Sequence, residues 1–124
     1  MNLEETLKAM LTAATGAAKG KWGKLKGFAE AELRTLAATG KELGESLATD
    51  LKEAALLPTA KKREAATAIA KKRAEIGMRG IALAGEGLAL AVEADLKLAA
   101  QDAVNAALGV LRGAINQAVG VDVL

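Results

Sequence analysis

Between Ile76 and Val119 the chain carries a helix-forming stretch with almost no polar face, and nothing else in the sequence limits the fold as strongly. From Gly80 to Ala100 the charged residues are Glu86, Glu93, Asp95 and Lys97; every other position is Ala, Leu, Gly, Ile or Val. A helix of this kind needs protein or lipid around most of its circumference. One further helix from a 124-residue chain covers only one side. The sequence therefore points to association, and it carries an architecture and a class of role rather than a named activity.

What fills that stretch also sets the fold class. Hydrophobic residues make up 52% of the chain but aromatic residues only 2%, so Ala and Leu supply the apolar surface. Both are strong helix formers, while the β-branched and aromatic residues that favour strands are scarce. The expected class is all-α. Small side chains bury little area each, at about 25 cal/mol per Å², so the core of one copy alone is expected to be weak.

In residues 1–57, apolar or small positions run from Leu3 through Leu7, Leu11, Ala14, Ala18 and Trp22 to Leu51. Their steps are mostly four, four and three, roughly 3.7 residues on average, nearer an eleven-residue repeat than a heptad. An ordinary amphipathic helix gives nearly the same pattern, and both readings stay open. Gly16/Gly20, Gly23/Gly27, Gly40/Gly44 and, later, Gly109/Gly113 are pairs spaced by four. Each interior glycine costs about 1 kcal/mol relative to Ala, so the pairs suggest close helix packing of the GxxxG type. A break between Ala14 and Gly27 is the competing reading.

Pro58, the one proline, disfavours helix at the preceding residue, and Thr59 is an available cap. This places a turn at 58–60 and a second, mostly apolar helix over 61–121. In that helix Ile69, Ile76, Leu83 and Leu90 form a strict seven-residue row, and Arg79, Glu86 and Glu93 form a polar one. The expected architecture is a single-domain, long antiparallel helical hairpin with two helices of roughly 55 residues. Facing residues then have numbers summing to about 116. That register sets Lys61, Lys62, Arg63, Lys71, Lys72 and Arg73 beside Glu53, Asp50, Glu45 and Glu42. Off the Leu83/Leu90 row lie Ile81, Leu88, Val92, Leu96 and Val110, which with Gly109 and Gly113 are the expected association surface. Uncovered apolar positions of this extent mark contact with a partner or a membrane. A bundle or ring of copies, or a hairpin docked along a larger particle, would cover them.

Catalytic chemistry finds few residues to use. With no His, Cys or Tyr, Ser-His-Asp and Cys-His constellations and His- or Cys-based metal sites are excluded. Glu42 and Glu45 read as a solvated face rather than a metal site, and Gly40-Lys41 lacks the remaining residues of a phosphate-binding loop. Neither an enzyme nor a cofactor nor a small-molecule substrate is expected. A net charge of +2 exerts little pull on nucleic acid.

Two basic stretches carry alternatives. Lys19, Lys21, Trp22, Lys24, Lys26 and Phe28 combine cations with the only Trp and the only Phe, the composition of a segment lying on anionic lipid. A solvated lysine face with Trp22 as a packing anchor accounts for the same residues. Lys61, Lys62, Arg63, Lys71, Lys72 and Arg73 suit phosphate groups of lipid or nucleic acid, or pairing with the acidic end of the first helix.

The profile of Ala, Gly, Lys and Leu in long helices is similar, in composition alone, to phage internal or ejection proteins and to granule-coating amphipathic proteins. Two classes of role follow. One is a non-enzymatic structural or assembly protein, a homo-oligomer or part of a larger particle such as a virion. The other is a membrane-active protein that binds or perforates anionic bilayers. The acidic start Met1-Asn2-Leu3-Glu4-Glu5 does not resemble a secretory signal, and no uncharged run approaches the roughly 20 residues of a membrane span. A cytoplasmic or virion-associated location is expected.

Overall fold

The computed structural model describes residues 1–120 and 124. Among them the regular elements are all helical: α1 (Leu3–Ala17), α2 (Trp22–Ala55), α3 (Ala60–Leu90) and α4 (Lys97–Val119), with a single 3₁₀ turn, Ala94–Leu96, leading into α4. The all-α class holds. The pair of 55-residue helices does not, because each expected helix is broken once. The last residue of the expected second helix, Val121, lies outside the described residues.

The first break falls inside the Ala14–Gly27 window. Lys19 (φ 50°) and Gly20 (φ 85°) both adopt left-handed backbone, a conformation that glycine enters freely and lysine does not. The second break carries no Gly or Pro. Glu93 turns extended (φ −61°, ψ 152°) before the 3₁₀ turn, and the chain reverses. The physical reason lies in the stretch itself: an apolar helix needs cover, and its distal half obtains it by folding back as α4, mainly onto α1 and α2.

The expected turn at Pro58 is present. Thr59 caps α3, its Oγ1 accepting from the Lys62 N–H at 3.2 Å, and Arg63 Nη1 donates to the Leu57 carbonyl at 2.8 Å. Asn2 caps α1 in the same way, Oδ1 accepting from the Glu5 N–H at 3.0 Å. α2 and α3 form an antiparallel hairpin in which Leu43 meets Gly77, about one helical turn from the expected register.

An ion pair between Arg34 and Glu4 at 3.2 Å lies near the start of α1 and the middle of α2, so these two helices run antiparallel. Gly40 meets Leu111 and Gly44 meets Ile115; both chains advance together, so α2 and α4 run parallel. Lys21 Nζ donates to the Asp95 carbonyl at 3.2 Å at their common end. The result is an up-down-up-down bundle in which the α2–α3 hairpin extends past the shorter α1 and α4 as a two-helix tip.

The core holds Met10, Leu25, Leu33, Leu47, Leu111 and Ile115 fully buried. Every position of the Leu3–Leu51 seam is buried or half-buried, on both sides of the first break. On α3 the inward face is Ala70, Ala74, Gly77, Ile81, Gly85 and Leu88, which repeats every eleven residues as the first seam does. Its glycines admit neighbouring side chains: a Cβ on Gly77 would stand 2.6 Å from Leu43 Cδ1, and one on Gly85 2.7 Å from Val104 Cγ1.

The outer side of α3 bears on two expectations. The strict seven-residue row Ile69, Ile76, Leu83 and Leu90 faces outward, while Ile81 and Leu88, expected off that row as an association surface, face the core. The ion pairs within 4.0 Å among the described residues are Arg34–Glu4, Lys41–Glu45 and Lys72–Glu75, and none joins the acidic side of α2 to the basic side of α3. Asp50 and Glu53 line one groove with Arg73, so the two blocks are neighbours without closing an ion pair, and Arg63 is engaged by the Leu57 carbonyl.

Candidate functional site

Thr6 is the one polar side chain buried among the described residues, so any binding chemistry has to sit on the surface. The outer face of α3 is its most distinctive part. Ile69, Ile76, Leu83 and Leu90 are 55%, 57%, 65% and 70% exposed. Seven residues fall roughly 20° short of two full helical turns, so the four side chains form a nearly straight line. Leu83 lies roughly 200° around the helix from the buried Ile81, which sets the line opposite the core.

Each flank of this line has its own chemistry. Three residues beyond Ile69, Ile76 and Leu83 come Lys72, Arg79 and Glu86, all exposed; Glu93, three beyond Leu90, lies past the end of α3 in the extended turn. Four residues beyond the middle pair come Gly80 and Gly87, exposed, with no atom within 4 Å of where a Cβ would stand. One side of the row is thus charged, and the other, beyond Arg73, is bare backbone at Gly80 and Gly87. Lys72 makes a long ion pair with Glu75 at 3.9 Å; Arg79 and Glu86 have no ion-pair partner within 4.0 Å among the described residues.

The residues expected to form an association surface are dispersed. Ile81, Leu88 and Leu96 belong to the core, at 3%, 6% and 8% exposure. Val92 and Val110 are half-buried against it. Gly109 and Gly113 are exposed on α4 with open space about them, beside polar Asn105 and Arg112. Of the four glycine pairs, Gly40/Gly44 packs within the chain, against Leu111 and Ile115 side chains; the other three meet nothing within 4 Å.

The first basic stretch wraps the α1–α2 corner. Lys19, Lys21, Lys24 and Lys26 are exposed and Phe28 is 42% exposed, whereas Trp22 is half-buried and packs on the core. In the second stretch Lys61, Lys62, Lys71, Lys72 and Arg73 are exposed, while Arg63 is half-buried in the turn. A shallow groove at the hairpin tip is lined by Asp50, Glu53, Leu57, Ile69 and Arg73, mixing both signs of charge. Among the described residues no cluster of three or more Asp or Glu side chains is arranged to hold a metal ion, and no helix is long and apolar enough to cross a membrane.

No protein-family model matches this chain, and comparisons with curated proteins and with solved structures likewise give no match. The surface therefore has to be read from its own geometry. The outward row was visible in the sequence; what concealed its role was its regularity, which suggests an inner seam.

Proposed function

We propose that this chain is a non-enzymatic structural protein that works by self-association, with the outward face of α3 as its contact surface. The observation that carries this reading is the line Ile69, Ile76, Leu83 and Leu90: four large apolar side chains, each more than half exposed. A seven-residue apolar row is the spacing that lets two helices pack along a common seam, and extended exposed apolar patches mark interaction sites. The absence of His, Cys and Tyr from the composition supports a role without catalysis. Sedimentation equilibrium without lipid or detergent, over a range of concentrations, tests it. The expected mass rises with concentration to a multiple of 12.6 kDa; a folded monomer throughout overturns the proposal.

A second reading, contact with anionic lipid at the α1–α2 corner, is favoured by one observation, the exposed Phe28 among four exposed lysines. Half-burial of Trp22 weighs against it, because the better interfacial anchor is already engaged with the core. A blue shift of Trp22 emission on titration with anionic vesicles would support lipid contact. An unchanged spectrum with no vesicle co-sedimentation removes it.

A further inference from the structure

The charges beside the apolar row have an order that selects one partner and one orientation. Along the charged flank α3 carries Lys72, Arg79 and Glu86 at seven-residue spacing, and the helix ends at Leu90, before Glu93. Read backwards, the Arg79/Glu86 pair is its own electrostatic complement. We infer that the outward face of α3 pairs with the same face of a second copy, antiparallel, about a two-fold axis passing near Leu83; this rests on the self-association proposed above.

In an antiparallel pair related by such an axis, each flank meets the same flank of the other helix, the self-complementary contact of a two-fold dimer. With Leu83 opposite the partner's Leu83, Ile76 falls opposite the partner's Leu90. Arg79 then lies beside the partner's Glu86, and Glu86 beside the partner's Arg79, so both central charges of each copy meet an opposite charge. On the other flank Gly80 and Gly87, with no atom within 4 Å of a would-be Cβ, face their counterparts and let the helices approach closely.

The alternatives conflict. A parallel pair sets the charged flank of each copy against the bare Gly80/Gly87 flank of the other, so Arg79 and Glu86 meet no opposite charge. Sliding the antiparallel pair by one seven-residue step keeps the apolar row in contact but brings either two Arg79 side chains or two Glu86 side chains together. Opposite-charge pairing forms only in the antiparallel direction, and like charges in juxtaposition suppress the slipped register, so the apolar row supplies the contact and the charges choose its direction and register.

The test uses charge reversals that leave the buried face of α3 untouched. Arg79→Glu and Glu86→Arg are each expected to weaken self-association at least tenfold in sedimentation, with helical circular dichroism unchanged. The double swap Arg79→Glu/Glu86→Arg is expected to restore association close to that of the original chain. Mixing the two single variants in equal amounts is expected to give a heterodimer tighter than either variant alone. If the unsubstituted chain stays monomeric, the self-association reading itself fails. If it associates but the single reversals do not weaken it, or the swap and the mixture do not recover it, the antiparallel register fails while self-association stands.

Discussion

Two glycines of α3 separated by a single residue should respond to the same substitution with opposite signs. Gly85 and Gly87 lie roughly 200° apart around the helix, one buried and the other exposed. At Gly87 a new methyl meets nothing within 4 Å, so Gly87→Ala gains helix propensity, about 1 kcal/mol. At Gly85 the new Cβ would stand 2.7 Å from Val104 Cγ1, 3.4 Å from Leu108 Cδ1 and 3.8 Å from Leu36 Cδ1. Val104 is β-branched and stiff at χ1, so it cannot swing away. Overpacking of this sort costs about 1–3 kcal/mol, which cancels or exceeds the same propensity gain. Gly85→Ala is therefore expected to be less stable than Gly87→Ala by about 1–3 kcal/mol. Urea unfolding, at equal and low protein concentration so that association does not contribute, reads the difference as a shift of midpoint on the order of 1 M at unchanged slope. If Gly85→Ala rises in stability as much as Gly87→Ala, the face of α3 assigned to the core is wrong.

Two further outcomes follow from the same packing. At the α1–α2 corner, Gly20→Ala forces a methyl-bearing residue to φ 85° and Lys19→Gly relieves φ 50°; the first should lower stability and the second raise it, each by about 1 kcal/mol, measured by denaturant midpoint. Leu111, fully buried against Gly40, should cost about 2–5 kcal/mol when truncated to Ala, whereas Thr59→Ala, which removes the α3 cap, should cost about 1 kcal/mol.

The helical class, the turn at Pro58 and the buried seam of the first segment were all legible in the sequence, each for a local reason: composition, a missing N–H, and spacing. The break at Gly20 was legible as an alternative, because glycine there enters left-handed backbone. The reversal between Leu90 and Lys97 was not, since no Gly or Pro marks it and its cause is tertiary: the distal half of the apolar stretch finds its cover on α1 and α2. Ile81 and Leu88, expected as an association surface, belong to the inward face of α3. Ile69, Ile76, Leu83 and Leu90 look like the stronger seam by side-chain size, but their strict seven-residue period differs from the eleven-residue period of Leu3–Leu51. The row Ala70, Ala74, Gly77, Ile81, Gly85 and Leu88 shares that period, and matching the two periods would have chosen it. Small residues carried the signal that large ones obscured, because a bundle built on Ala and Gly brings its helices close at those positions.

Whether the α3 row is a contact surface is decided by comparing two leucines of similar exposure, Leu83 at 65% and Leu98 at 71%. Leu83 sits at the centre of the row; Leu98 lies on α4. Burying a leucine contributes about 1.5–3 kcal/mol, and in a two-fold contact the residue counts twice. Leu83→Asp should therefore weaken self-association by about two orders of magnitude or more, leaving a folded, helical monomer in sedimentation, while Leu98→Asp should associate as the original chain does. Equal behaviour of the two variants, or no association of the original chain at any concentration, would contradict the account.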